Sequence, residues 1–280
     1  MVGSGQIFFW GLGLVTISAL FSGSDRVWVK LIISIGSFLG MALVAISATP
    51  LPLWIYLWLF TSFVLWIWQG MRSTRSSWVI AVLVMAIFTA MVTELPHHIV
   101  PEIPVHSVDS ILIIGDSVTA GTGSGDQTIK WPAQIEKQHA LLVDNLAVPG
   151  AKVSAAIKLL KEHSGDSDIA ILEIGGNDLL GTTSDNKFEE SLDELLRLAC
   201  KRSQLVIMFE LPSLPLRNNV GAIQRRLANE HSVMLIPKRA FMSVLTEPDS
   251  TIDSVHLTQA GHDRMAQLVY EILKPAIDIN

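Results

Sequence analysis

The chain has 280 residues, half of them hydrophobic, and a formal net charge of −6. Residues 107–280 hold sixteen of the 20 Lys and Arg and twenty-three of the 26 Asp and Glu, and such an acidic part without a basic stripe argues against nucleic-acid binding. The only cysteine, Cys200, excludes an intrachain disulfide and is compatible with any compartment.

The first 93 residues are predicted to form an all-α transmembrane region of about four helices. Their apolar segments are assigned to helices at 5–22, 27–48, 51–70 and 77–93, because a spanning helix needs roughly 20 residues. Four such runs argue against the alternative of a buried soluble core. A cleavable signal peptide is also a poor fit, because it requires a basic segment before its apolar run and none precedes the first run here. One GxxxG pattern, Gly36–Gly40, could let two helices approach closely, but the pattern alone identifies no partner.

The basic residues of the apolar part predict its orientation. Arg26 and Lys30 lie between the first two segments or at their borders, and Arg72 and Arg75 lie between the last two. Because loops rich in Lys and Arg stay in the cytoplasm, both basic loops are placed inside. We therefore expect a multi-pass protein of the inner or plasma membrane, with its C-terminal domain on the extracytoplasmic (periplasmic) side.

Residues 94–109 are predicted to be a linker, since several prolines keep a chain extended and fairly stiff. Three histidines lie in it (His97, His98 and His106). Their spacing matches no metal site, and no acidic ligands join them. We interpret the segment as a solvated linker and predict neither a metal nor another cofactor.

Residues 110–280 are predicted to be one α/β domain in which strands alternate with helices. The apolar runs predict strands at 111–114, 141–148, 169–174, 205–211 and 233–236. The helical patterns lie at 151–163, around 192–200, and at 219–230 and 258–273. Strands separated by helices imply a parallel sheet covered on both faces. The expected fold class is a three-layer, flavodoxin-like sheet with strand order 2-1-3-4-5.

The triplet Gly115-Asp116-Ser117 ends the first predicted strand. Open α/β folds place their chemistry at this edge of the sheet. A serine there can be a nucleophile if a base reaches it and donors face the oxyanion. Taken alone, the triplet favours a turn serine that caps the next helix, so a nucleophile needs the other parts of a site elsewhere in the chain.

Three further blocks supply the missing parts: Asn145–Gly150, Gly175–Asp178 and Asp253–His256. In an Asp-x-x-His turn the carboxylate of Asp253 can reach Nδ1 of His256, which leaves Nε2 free to take a proton from a serine. The backbone N–H groups of Ser117 and Gly150, with the side-chain amide of Asn177, could then face the developing oxyanion.

This order and spacing resembles the SGNH hydrolases, the GDSL esterase/lipase superfamily, over about residues 110–274. Ser117, Gly150, Asn177 and His256 match the four residues that name the superfamily, and Asp253 matches the acid of its triad. The resemblance implies a catalytic triad of Ser117, His256 and Asp253 and an oxyanion hole of Ser117, Gly150 and Asn177. It also implies hydrolysis through an acyl-enzyme without a metal.

Within the superfamily the chain is most similar to the bacterial periplasmic thioesterase/lysophospholipase group. The likeness is carried by Trp131–Ala133, Leu159–His163 and Glu173–Asp178, whereas that soluble group lacks the transmembrane region. The implied function is a membrane-anchored serine esterase acting on lysophospholipids, other acyl esters or thioesters, or O-acetylated envelope glycans. Two alternatives stay open: an acyltransferase using the same site, and a non-catalytic envelope-binding domain on the hydrolase fold. The oligomeric state stays open too.

Overall fold

The computed structural model describes residues 3–24, 26–72, 76–104, 107–123, 126–212, 214–215 and 217–277. Arg75 and His106 lie outside the described residues, so the expectations that involve them rest on the sequence. The chain divides into two compact units. One unit holds Met1–Ile99 with the short segment Ser213–Asn218, and the other holds Val100–Pro212 and Asn219–Asn280.

The first unit contains four long helices. They are α1 (Gln6–Leu20), α2 (Val27–Ile46), α3 (Leu53–Met71) and α4 (Ser77–Glu94). Each is long and apolar enough to cross a membrane. Their ends differ from the predicted ends by no more than two residues. The link between α2 and α3 is longer than predicted, because α2 ends at Ile46 and α3 begins only after its cap, Pro52.

Two glycines bring the backbones of α1 and α2 into contact. A Cβ atom added to Gly11 would lie 2.6 Å from the carbonyl oxygen of Gly40, and one added to Gly40 would lie 2.7 Å from that of Gly11. Small residues permit this close approach between helices in a membrane. The GxxxG pattern therefore has a partner within the chain, namely α1, which the sequence alone did not identify.

The second unit is built around a parallel five-stranded sheet. Its strands are β1 (Ser110–Gly115), β2 (Leu142–Asn145), β3 (Ser167–Glu173), β4 (Ser203–Phe209) and β5 (Met234–Ile236). Every pair is parallel, and the order is β2-β1-β3-β4-β5. The predicted three-layer flavodoxin-like fold is thereby confirmed. Since β1 lies between β2 and β3, its C-terminal end is at the point where the strand order reverses.

Helices cover both faces of this sheet. They are α5 (Ser117–Ala120), α6 (Trp131–His139), α7 (Val153–Glu162), α8 (Gly176–Leu180), α9 (Asp185–Arg202), α10 (Asn218–Glu230), α11 (Lys238–Thr246) and α12 (Gln259–Ile277). One core packs α7, α9 and α10 against the sheet, and the other packs α6, α11 and α12. The short helices α6 and α11 were not predicted, because nine residues hold too few apolar positions to show a helical period.

Strand β2 is shorter than predicted and stops at Asn145. The Asn145 side chain accepts a hydrogen bond from the Ala147 N–H at 3.0 Å, which turns the chain out of the strand. The backbone then continues beside β1, where the Val148 N–H donates to the carbonyl of Gly115 at 3.1 Å. This path brings the loop after β2 to the end of β1, where Ser117 begins α5.

Candidate active site

Ser117 is the first residue of α5, directly beyond the end of β1. The cap of this helix is Asp116, whose Oδ1 accepts the Val118 N–H at 3.0 Å. The Ser117 hydroxyl is therefore not used for capping, and it makes no hydrogen bond within the described residues. The side chain is nearly buried, with 7% of its surface exposed. This placement favours a nucleophile over a turn serine.

The loop after β2 forms a tight turn at Val148–Ala151. The Ala151 N–H donates to the carbonyl of Val148 at 3.0 Å, Pro149 occupies the second position, and Gly150 has a φ of 74°. Proline followed by a residue with positive φ is typical of a type II turn, and glycine adopts that φ without strain. Within the described residues no acceptor takes the N–H of Gly150, so that group is available as a donor.

Asn177 connects the nucleophile turn to the loop of Gly150. Its Nδ2 donates to Oδ2 of Asp116 at 3.0 Å and to the carbonyl oxygen of Ala151 at 3.1 Å. Both partners are acceptors, so the orientation of the amide is fixed by chemistry. Because both amide hydrogens already have acceptors, an oxyanion would have to share or replace one of these bonds.

Three acidic side chains of the candidate site are buried: Asp116, Glu173 and Asp178. Burial raises the pKa of Asp116 to about 6. Burial and the neighbouring Asp116 raise the pKa of Glu173 well above its usual range, and its carboxyl group accepts a hydrogen bond from the Thr119 hydroxyl at 2.9 Å. Asp178 accepts the Val153 N–H at 2.9 Å and so fixes the start of α7. These groups hold the loops of the site in place.

Asp253 and His256 form a closed pair in the loop before α12. Oδ2 of Asp253 lies 2.7 Å from Nδ1 of His256, and Oδ1 accepts the His256 N–H at 2.9 Å. The hydrogen bonds from the backbone and then the ring of His256 lower the pKa of Asp253 to about 2. An ionised carboxylate can only accept, so Nδ1 carries a proton and Nε2 of the neutral ring is an acceptor. Between them, Ser254 has a positive φ of 76°, which keeps the turn tight.

Contacts with neighbouring segments fix the ends of this loop. Thr251 and Leu257 form an antiparallel bridge, and the Ile252 N–H donates to the carbonyl of His256 at 2.8 Å. A Cβ atom added to Gly261 in α12 would lie only 2.0 Å from the carbonyl oxygen of Ser250. The first turn of α12 therefore touches the base of the loop directly.

The hydrogen bonds of Asn177 to Asp116 and Ala151 bring together the turns that carry Ser117 and Gly150, whereas Asp253 and His256 form a separate pair. No hydrogen bond links His256 to Ser117 within the described residues. His256 is near enough to lower the pKa of Asp116 by its charge. Catalytic hydrogen bonds are often long before substrate binds, so the lack of a hydrogen bond between His256 and Ser117 is compatible with a role of His256 as base. The described residues contain no group of three or more His, Cys, Asp or Glu that could hold a metal ion.

The family model for the GDSL-like Lipase/Acylhydrolase family matches residues 113–264. The chain belongs to this family. It is a serine ester hydrolase. No curated protein sequence matches it.

Solved structures of this GDSL-like hydrolase's relatives agree with the fold. A crystal structure of TesA matches with a TM-score of 0.51 at 23% identity, covering 59% of this chain and 98% of that one. The psychrotrophic esterase EstA from Pseudoalteromonas sp. matches at 0.52 and 17%, covering 59% and 97%.

Sequence reasoning assigned no role to Glu173 and Thr119, whose side chains form a hydrogen bond beside the turn of Ser117. A signal was present, since Glu173 is a lone carboxyl group at the end of the apolar strand Ile169–Leu172. A charge in such a place is buried only when it is neutralised or bonded. Sequence reasoning also assigned no role to Lys152, which follows the turn at Val148–Ala151.

Proposed function

We propose that this GDSL-like hydrolase is a membrane-anchored serine esterase with Ser117, His256 and Asp253 as its triad. The observation that carries the proposal is the 2.7 Å pair of Asp253 and His256, whose charge lowers the pKa of Asp116, the residue before Ser117. An imidazole oriented in this way has its free nitrogen ready to accept a proton.

The reaction follows from these roles. Oγ of Ser117 attacks the acyl carbon while its proton moves to Nε2 of His256, and Asp253 stabilises the imidazolium. The tetrahedral intermediate collapses, and the leaving alcohol or thiol takes that proton. Water, deprotonated by His256, then attacks the acyl-enzyme and releases the acid.

The negative charge of the intermediate is assigned to three donors: the N–H groups of Ser117 and Gly150 and the amide of Asn177. The N–H of Gly150 supports this assignment, because it has no acceptor within the described residues and can bind an oxyanion without breaking a hydrogen bond to them. For Asn177, the bond to the carbonyl of Ala151 is the one that is given up. The bond to the Asp116 carboxylate is charge-assisted and stronger, so it keeps the amide in place.

The proposed substrate is an ester or thioester with an apolar acyl group. Three large apolar side chains next to site residues are exposed: Val148, Leu180 and Val255. Each lies within three residues of Gly150, Asn177 or His256, which supports an apolar rim around the reacting atoms. Burying such side chains against an acyl chain removes apolar surface from water.

Membrane anchoring by the four helices and an extracytoplasmic catalytic unit complete the proposal. The helices' length and composition support the anchoring. The orientation is supported by Arg26 and Lys30 at the start of α2 and by Arg72 at the end of α3, because these two helix ends lie on the same side of the membrane in a four-span arrangement. An enzyme held in this way acts on acyl esters at the outer surface of the membrane, lipids and acylated glycans included.

The test is replacement of the nucleophile in the full-length chain. Ser117→Ala is expected to abolish hydrolysis of short acyl esters and labelling by a fluorophosphonate probe, with the fold retained. The exposed Ser154 on α7 supplies the matched control, and Ser154→Ala should keep both. Labelling of the wild-type chain at a different serine would overturn the assignment.

A further inference from the structure

Lys152 lies at the edge of the candidate active site. It follows Ala151, whose carbonyl binds Asn177, and it is half-buried at the start of α7. Its Nζ donates to the hydroxyl of Thr183 at 3.2 Å. A Cβ atom added to Gly181 would lie 3.3 Å from this Nζ and 2.7 Å from the carbonyl oxygen of Asn177. The ammonium group is thus beside the short helix that carries Asn177.

The described part of the chain supplies no ion-pair partner for Lys152. Within the described residues, no carboxylate lies within 4.0 Å of its Nζ, whereas Lys130 pairs with Asp126 at 2.8 Å and Lys161 with Glu194 at 2.6 Å. An ammonium group has three donors, and among the residues that the structure describes only one of the three finds an acceptor. A partly buried cation with spare donors is stabilised by an anion that supplies the missing charge.

The glycine at position 181 keeps the space beside this cation clear. A side chain there would press on Lys152 and on the backbone of Asn177. The ammonium group can therefore approach the segment that holds a proposed oxyanion donor. A group attached to an ester bound at Ser117 would lie within reach of it.

We propose that Lys152 and Thr183 form a subsite for an anionic group, a phosphate or a carboxylate, carried by the ester substrate. The inference rests on the proposed function, and it narrows the substrates to esters that bear a negative charge. Phosphate and carboxylate share the chemistry that the subsite recognises, and Thr183 adds a hydroxyl donor to the same anion.

The experiment compares matched esters on the full-length chain in detergent. The first pair is monobutyrylglycerol and monobutyrylglycerol phosphate, and the second is nitrophenyl butyrate and the nitrophenyl monoester of succinic acid. Within each pair the members differ by an anionic group, on the alcohol or on the acyl side. For each pair, the ratio of kcat/KM for the anionic member to that for the neutral member is measured.

Lys152→Met is expected to lower this ratio by roughly 10- to 100-fold, as hydrogen bonds to charged groups allow. Lys152→Glu should lower the ratio further, and Lys152→Arg should recover part of it. The control is Lys158→Met, which removes an exposed lysine of the same helix and should leave the ratio unchanged. The pair that responds identifies the anion and the side of the ester that carries it.

Unchanged ratios for both pairs in Lys152→Met would overturn the inference. An equal loss for neutral and anionic esters would also overturn it, because Lys152 would then only support the loop of Gly150. A wild-type chain that hydrolyses none of the four esters contradicts the proposed function itself. Active wild-type chain with unchanged ratios contradicts the subsite alone.

Discussion

A single amide joins two of the loops from which the candidate site is built. Asn177 binds the side chain of Asp116 and the carbonyl of Ala151, so it fixes the distance between the turn of Ser117 and the turn of Gly150. The same amide is proposed to face the oxyanion. A structural and a catalytic role are therefore combined in one side chain, and they have to be separated by kinetics.

Asn177→Ala is expected to lower kcat by about 10²–10³, because one oxyanion donor contributes roughly 2.7–4 kcal/mol to the transition state. KM should change far less, since the donor acts when charge develops. The measurement is steady-state kinetics on a soluble ester, with the exposed Asn186→Ala on α9 as the matched control. A raised KM with unchanged kcat would mean that Asn177 binds substrate and stabilises no oxyanion.

His262 is a second residue with a definite energetic consequence. It is fully buried in α12, and neither ring nitrogen has a hydrogen-bond partner within the described residues. Burial first, and then the nearby Lys130, lower its pKa to about 4, against the opposing effect of Asp126 and Asp263. The unfolded chain, with a usual pKa of about 6.5, therefore binds a proton before the folded chain does. The free energy of unfolding therefore depends on pH through His262. It is highest above pH ~6.5 and decreases as pH falls toward about 4.

His262→Phe should flatten the acid side of the stability profile. The wild-type catalytic unit is expected to lose on the order of 3 kcal/mol between pH ~6.5 and ~4 through this group, and the variant should not. The melting temperature of the full-length chain, followed from pH 7.5 to 4, provides the measurement. Parallel profiles for the two proteins would contradict the assignment, and similar melting at pH 7.5 would show that Phe fits the site.

At the scale of elements, α12 and the Asp253–His256 loop behave as one piece. Gly261 lets the first turn of the helix touch the backbone at Ser250, and Leu257 packs into the core beside it. Gln259, in the same turn, binds the backbone of Ile129 through both ends of its amide, at 2.8 and 3.2 Å. The loop that carries the proposed base is thus positioned by helix packing as well as by its own hydrogen bonds.

Gly261→Ala is expected to lower both the melting temperature and kcat. Alanine normally favours a helix over glycine by about 1 kcal/mol, so a loss here would have the opposite sign. The added Cβ would force Ser250 to move, and overpacking of this kind costs about 1–3 kcal/mol. Thermal melting and ester kinetics are compared with Gln267→Ala, an exposed change in the same helix. Wild-type kinetics in Gly261→Ala would show that the loop does not depend on this contact.

The strand order and the chemistry-bearing blocks could be predicted from the sequence because their signals are local. Apolar runs followed by Gly115, Gly150 and Gly175 predict strands that end in turns. The short helices α6 and α11 could not, since their burial depends on the sheet that they cover. The hydrogen bonds of Asn177 and the cation at Lys152 also depend on neighbours distant in sequence, and no spacing rule reports them.

At the scale of the whole molecule, two units of different composition share one chain. The four candidate spans carry most of the exposed large apolar side chains, and the catalytic unit carries most of the charge. Which side of a membrane the catalytic unit occupies is decided by the loops between the helices. The lone cysteine of the chain, exposed on α9, makes that question accessible without an added reporter.

A membrane-impermeant maleimide is expected to label Cys200 in right-side-out vesicles and to fail in sealed inside-out vesicles. Burial raises the pKa of the thiol, so the reaction needs a mildly alkaline buffer, at pH about 8.5, to form enough thiolate. Cys200→Ser should remain unlabelled in both preparations. Labelling only in inside-out vesicles would place the catalytic unit in the cytoplasm and refute the four-span orientation.

The wide separation of Ser117 and His256 along the chain affects biosynthesis as well as catalysis. A ribosome adds roughly 5–20 residues per second, so the base emerges on the order of ten seconds after the nucleophile. Until His256 is made, the nascent chain holds the proposed nucleophile without the proposed base. Under the proposed triad, the chain is therefore expected to hydrolyse no ester before that point. Products of premature termination that lack His256 are expected to have no hydrolytic activity.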